Sequence, residues 1–243
     1  MEVFMKRMFL ILIIAASTFS GCTKELSDAA SDQNLLVSVT GNGTYTSVTL
    51  SVTNLSNETK SFTVPAGIVI SSGNPRAQRM VIAIDKKIVI QPRGSVVSVI
   101  PAFCMDFHRD NPSNADLFNI SDYSRTKVYN IGNLLTHLKK VNYNLDSHES
   151  RSIAQKCVWL FVEDLNHERY LQSSLARQLN ISTSSVSQTG ATSTYWNGLR
   201  DKIIRRVGLH TYNRVVKDYR KNYSDEISKV NTLLKSAGIN VRY

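Results

Sequence analysis

Four residues at period-two spacing, Cys104, Asp106, His108 and Asp110, are the first whose types suggest chemistry. On an extended chain all four share one side, and a thiolate, an imidazole and two carboxylates make a donor set suited to zinc. Asn111-Pro112 follows immediately and signals a turn, so the competing reading is a polar loop leaving a β region with no metal bound. Hydrolytic chemistry has less support. The histidines His108, His137, His148, His167 and His210 are scattered, and there is no G-x-S-x-G, H-E-x-x-H or glycine-rich phosphate loop. Trp159, Trp196 and Tyr195 offer rings that stack on sugars, although aromatics at helical spacing ordinarily serve a core. The expectation is a protein that is not an enzyme and carries no cofactor.

The other informative cysteine is Cys22, which ends the run MKRMFLILIIAASTFSGC starting at Met5. Lys6 and Arg7 form a positive n-region, Phe9 to Ala16 an apolar stretch too short to span a bilayer, and Ser17 to Gly21 a small polar c-region. Phe19-Ser20-Gly21-Cys22 resembles the lipobox of bacterial lipoproteins. The resemblance implies cleavage after residue 21 and fatty acylation of Cys22, hence a palmitate-type anchor in the cell envelope. Each buried methylene adds about 0.8 kcal/mol, so two or three chains hold a protein stably. Thr23 stands where an Asp would retain an enterobacterial lipoprotein at the inner membrane, so the outer membrane is favoured. With Cys22 assigned to lipid, Cys104 and Cys157 remain, and in an export compartment they form a candidate disulfide.

A second resemblance joins Cys104 to Gln155. Phe103-Cys104 together with Ala154-Gln155-Lys156-Cys157-Val158-Trp159 is similar to the paired motifs of bacterial thioester domains, over residues 96–164. In that family a Cys sulfur displaces the amide nitrogen of a Gln, leaving an internal thioester that a partner's amine opens to form a covalent link. The resemblance implies a covalent adhesin-like role for Cys104 and Gln155. Cys157 falls on the inward face of its helical pattern and Gln155 does not, which keeps the disulfide and two buried free thiols open as alternatives.

Ser174 to Gln188 (SLARQLNISTSSVSQ) resembles a helix-turn-helix, with Ala176, Ile181 and Val186 at inward positions. Asn180 stands at the usual turn glycine, and an exported lipoprotein rarely meets DNA. Nucleic acid is therefore a partner only if the leader is not a signal peptide.

These residues require a scaffold. The chain has 243 residues and a net charge of +10, with 42% apolar and 20% charged residues. This composition excludes a disordered tail and allows a substantial core. Removing residues 1–21 leaves 27 basic and 18 acidic residues, a net +9. Residues 190–243 hold eleven Lys or Arg against four acids, so +7 sits there. Such a segment suits anionic lipid or an envelope polymer, unless it is only a solvated helical face.

Residues 22–33 read as a tether. From 34 to 112, alternation at Val48, Leu50 and Val52, at Phe62 and Val64, and at Met80, Ile82 and Ile84 predicts six or seven short strands. Regular turn signals between them suggest a small immunoglobulin-like sandwich. Residues 113–243 read as mainly helical: Val128 to Lys140, a helix capped by Ser147, Glu168 to Leu179, Thr194 to Val207, and a last helix capped by Ser224 and stopped by Gly238. The predicted class is α+β.

Overall fold

In the computed structural model, residues 24–126, 128–181 and 193–243 are described. Cys22, the leader and most of the Ser/Thr-rich segment before Ser193 lie outside them.

The architecture is α+β. Among the described residues there are eight strands: β1 (Leu35–Thr40), β2 (Ser47–Asn54), β3 (Lys60–Val64), β4 (Ile68–Ser72), β5 (Met80–Ile82), β6 (Lys86–Ile90), β7 (Ser95–Cys104) and β8 (Phe118–Arg125). Six form an antiparallel sheet in the order β1-β2-β7-β5-β4-β8, and β3 pairs with β6. A bridge from Thr40 to Leu117 brings the two edges of the large sheet together, so it nearly closes on itself. The last strand, β8, lies beyond Pro112, where the sequence suggested that helices take over.

Seven helices accompany the strands among the described residues: α1 (Leu26–Ser31) before them, then α2 (Tyr129–Lys140), α3 (His148–Glu163), α4 (His167–Gln178), α5 (Ser193–Val207), α6 (Leu209–Asn222) and α7 (Ser224–Ser236). The expected cap at Ser147 is present, its side chain accepting from the Ser150 N–H. Ser224 instead begins α7, because α6 runs up to Tyr223 and leaves no extended residue to act as a cap.

The expected tether is part of the fold from Lys24 onward. The Thr63 N–H donates to the Lys24 carbonyl, and Leu26 and Ala29 are buried. Their i, i+3 spacing gives α1 an apolar face, and Glu25 and Asp28 close a capping box at its start.

Strand β7 organises the interior. Its alternation sends Ile100, Ala102 and Cys104 into the core of the sheet, where Val48, Leu50, Met80 and Ile82 also lie. Phe103 and Met105 face a second core, built with Ile131 and Leu134 of α2, Cys157 and Val158 of α3, and Val230 and Leu234 of α7. The end of β7 is thus buried on both faces, and α3 lies against it.

Candidate functional site

The site begins where β7 outruns its neighbour. Strand β2 starts at Ser47, paired with Pro101. Beyond Pro101, Ala102 and Cys104 therefore find partners elsewhere on that side. Ala102 N–H donates to the Thr46 carbonyl and Cys104 N–H to the Tyr45 carbonyl. Beside Cys104 the vacant strand position is filled by a side chain from α3. Gln155 Oε1 accepts from the Cys104 N–H at 2.8 Å, and Gln155 Nε2 donates to the Cys104 carbonyl at 2.6 Å. The carboxamide imitates a peptide group and pairs with both backbone groups of one residue. Both residues are fully buried.

Helical periodicity alone placed Gln155 off the inward face, and here the structure differs. Helix α3 is covered on two sides. Ile153, Cys157 and Leu160 enter the helical core, while Gln155, Trp159 and Glu163, at i, i+4 and i+8, lie along β7 and the loop that follows it. A helix covered on both sides has a wider buried arc than one apolar stripe indicates.

Cys104 and Cys157 are both buried free thiols, one in each core, and are not bonded to each other. Cys104 Sγ lies 3.1 Å from Met80 Sδ. Burial pushes the Cys104 thiol well above its ordinary pKa, with Asp106 adding to the rise, and desolvation pushes Cys157 up to about 12. Neither sulfur is a free thiolate near neutral pH.

The zinc set is dispersed. Asp106 is taken by Arg79, with guanidinium contacts from 2.6 to 3.2 Å and a further bond from the Arg79 backbone N–H. Asp110 is on the surface beside Arg76. Among the described residues no group of three or more His, Cys, Asp or Glu is arranged to hold a metal. The backbone turns after Cys104, so the extended geometry behind that reading ends there.

His108 instead meets Glu163, with Nε2 3.6 Å from Oε2. Glu163 is 3% exposed. Its Oε1 accepts from the Phe107 N–H at 2.9 Å, and its backbone carbonyl accepts from Trp196 Nε1 at 3.0 Å. Desolvation first, then the nearby Asp106, raises the Glu163 carboxyl to about 7, against the pull of the Phe107 N–H, Arg79 and Arg109. Desolvation, then Arg177, lowers His108 to about 4. Between those values the contact joins a neutral imidazole to a neutral carboxyl and is not an ion pair. No sequence motif marked Glu163; its position eight residues after Gln155 was the available signal.

Aromatic rings enclose this region. Phe107 packs edge-on against Trp159 at 4.9 Å and tilted on Tyr170 at 5.3 Å, and Tyr45 lies over Trp159 at 5.6 Å. Trp159 and Trp196 are buried at 6% and 1% exposure, so neither presents a face for sugar stacking. A cavity of about 540 Å³ lined by Thr63, Ala66, Asp85, Leu135 and Lys139 is separate and includes none of the residues above.

Within the helix-turn-helix candidate, Ala176 is buried in α4 and Asn180 takes the left-handed conformation at φ 53°. Its expected recognition helix from Ser182, including Val186, lies outside the described residues. Helix α6 was not anticipated. Tyr212 is its one buried residue, and its cations are exposed.

Comparison with protein-family models, curated proteins and solved structures finds no match.

Proposed function

We propose that the chain is a lipid-anchored envelope protein that acts as a binding module rather than an enzyme, and that Cys104 and Gln155 close an internal thioester that makes its binding covalent. The observation that carries this reading is the buried pairing of the Gln155 carboxamide with the backbone of Cys104. Resemblance to the lipobox at Cys22 and to thioester domains over residues 96–164 supports it, as does the position of the pair at the end of a strand of the β module, which we read as immunoglobulin-like.

In the proposed reaction the sulfur of Cys104 attacks the carboxamide that the backbone of the same residue holds. Sγ of Cys104 forms a bond to the side-chain carbonyl carbon of Gln155, the bond from that carbon to Nε2 breaks, and the thiol proton leaves with the nitrogen as ammonia. The Cys104 N–H already donates to Oε1 and holds the oxygen that becomes negative at the tetrahedral stage. The buried thiol resists ionisation, so its proton moves to the departing nitrogen as the sulfur attacks. A partner's amine then attacks the same carbon, releasing the thiol and leaving an amide.

Intact mass tests the proposal. The mature polypeptide is expected to weigh about 17 Da less than its composition, and Cys104→Ala and Gln155→Ala each to abolish the deficit. A deficit of about 2 Da that reductant reverses indicates the disulfide, and full mass with two free thiols leaves non-covalent binding alone.

A further inference from the structure

We propose that the outward face of α6 docks on anionic phospholipid headgroups. The face is a single stripe. His210, Arg214, Lys217 and Lys221 fall at i, i+4, i+7 and i+11, so they line one side of the helix. All four are exposed, and they lie opposite Tyr212, Val215, Val216 and Tyr219, which pack inward. Two acids share the exposed surface of α5 and α6, Asp201 and Asp218. Among the described residues no acid pairs with Arg214, Lys217 or Lys221, whereas Arg220, off the stripe, is held by Glu168 at 3.1 Å. Lys202, Arg205 and Arg206 of α5 are likewise exposed without an acidic partner among the described residues.

Exposed cations such as Arg214, Lys217 and Lys221, held on one helix without ion-pair partners among the described residues, attract phosphate groups over about a Debye length. The membrane is the phosphate source the chain favours, and this step rests on the proposed anchor. Lys24, two residues past Cys22, is already tied to β3 by its carbonyl, which accepts from the Thr63 N–H, so an acylated Cys22 would hold the described body close to the bilayer. Acylation and a basic face then act together as two membrane signals.

The test uses the mature polypeptide with Cys22→Ser, which removes acylation and reads the stripe alone. Sedimentation with vesicles holding roughly one-third phosphatidylglycerol is expected to pull the protein down, and phosphatidylcholine vesicles to leave it in solution. Raising salt from about 0.05 to about 0.5 M, or introducing Arg214→Glu, Lys217→Glu and Lys221→Glu together, should cut binding roughly tenfold or more. The milder triple change to Gln should give a smaller loss in the same direction, with circular dichroism unchanged for both. Equal binding to neutral vesicles, or binding that survives the triple reversal, overturns the proposal. So does retention on polyphosphate or DNA without vesicle binding, which assigns the stripe to a soluble polyanion. Failure here leaves the anchor standing, because fatty-acid labelling of the wild-type chain reads Cys22 separately.

Discussion

The carboxamide of Gln155 holds Cys104 by both of its backbone groups, accepting from the N–H at 2.8 Å and donating to the carbonyl at 2.6 Å. A side chain on α3 thereby completes the end of β7, beside the apolar packing of Phe103 and Met105 into the helical core. Removing the amide leaves a buried carbonyl without its donor, whereas the Cys104 N–H keeps the Tyr45 carbonyl. In a Cys104→Ala background, which holds no thioester, Gln155→Ala is expected to cost about 2–4 kcal/mol in urea unfolding, from the orphaned carbonyl and the cavity together. Gln155→Glu in the same background should lose further stability as pH rises, since a carboxylate cannot donate to the Cys104 carbonyl and is costly to bury. A loss under about 0.5 kcal/mol for the Ala variant would mean that the pairing contributes nothing.

The two thiols should be silent to alkylation in the native state. Both are fully buried and disfavour the thiolate, Cys157 with a pKa of about 12. In the Cys22→Ser mature chain, iodoacetamide is expected to label neither residue until denaturant is added. On rapid denaturation, Cys157 alone reacts if Cys104 is held in a thioester, and both react in Gln155→Ala. Fast native labelling of Cys157 would contradict its place in the helical core.

Helix α1 should behave as structure, not as a linker. Leu26 is 1% exposed, and Leu26→Ala is expected to cost about 2–4 kcal/mol. Deletion through Asp32 would also remove the residue that meets Lys60 at 3.4 Å. Unchanged unfolding midpoints for both variants would return residues 24–33 to the status of a tether.

Much of this architecture was legible because it is local. Alternation at Val48, Leu50 and Val52 identified a strand face that is fully buried, and the cap at Ser147 located the start of α3. Leu26 and Ala29 were missed because a six-residue helix offers too few repeats to stand out from a polar segment. Helix α6 was missed for a related reason. With one buried residue it has little apolar pattern, and its basic residues were read as charge, not as one face of a helix. The pairing of Cys104 with Gln155 was reached through a family resemblance, since they are far apart in the chain. No periodicity reveals that β2 ends short of Cys104. The contact between His108 and Glu163 depends on a turn after β7 and on the second buried side of α3, both of which are tertiary.

Glu163 gives the last prediction its sign. Its carboxyl is raised from 4.5 to about 7 by burial, so the folded protein holds a proton there that the unfolded chain releases above about 4.5. The stability associated with that proton is fully present below 4.5 and is lost as pH rises through about 7. His108 acts in the opposite sense: its pKa is lowered from 6.5 to about 4, so its contribution is present above 6.5 and lost as pH falls through about 4. Glu163→Gln keeps an oxygen to accept from the Phe107 N–H and removes the carboxyl titration, while His108 is common to both proteins. The variant is therefore expected to match wild type at acid pH and to exceed it by up to about 3–4 kcal/mol well above pH 7, the value of a shift of this size. Urea midpoints for the two proteins, measured across that interval, should diverge as pH rises. A difference that stays constant with pH would show that Glu163 is ionised in the folded protein and that Arg79 and Arg109 outweigh its burial.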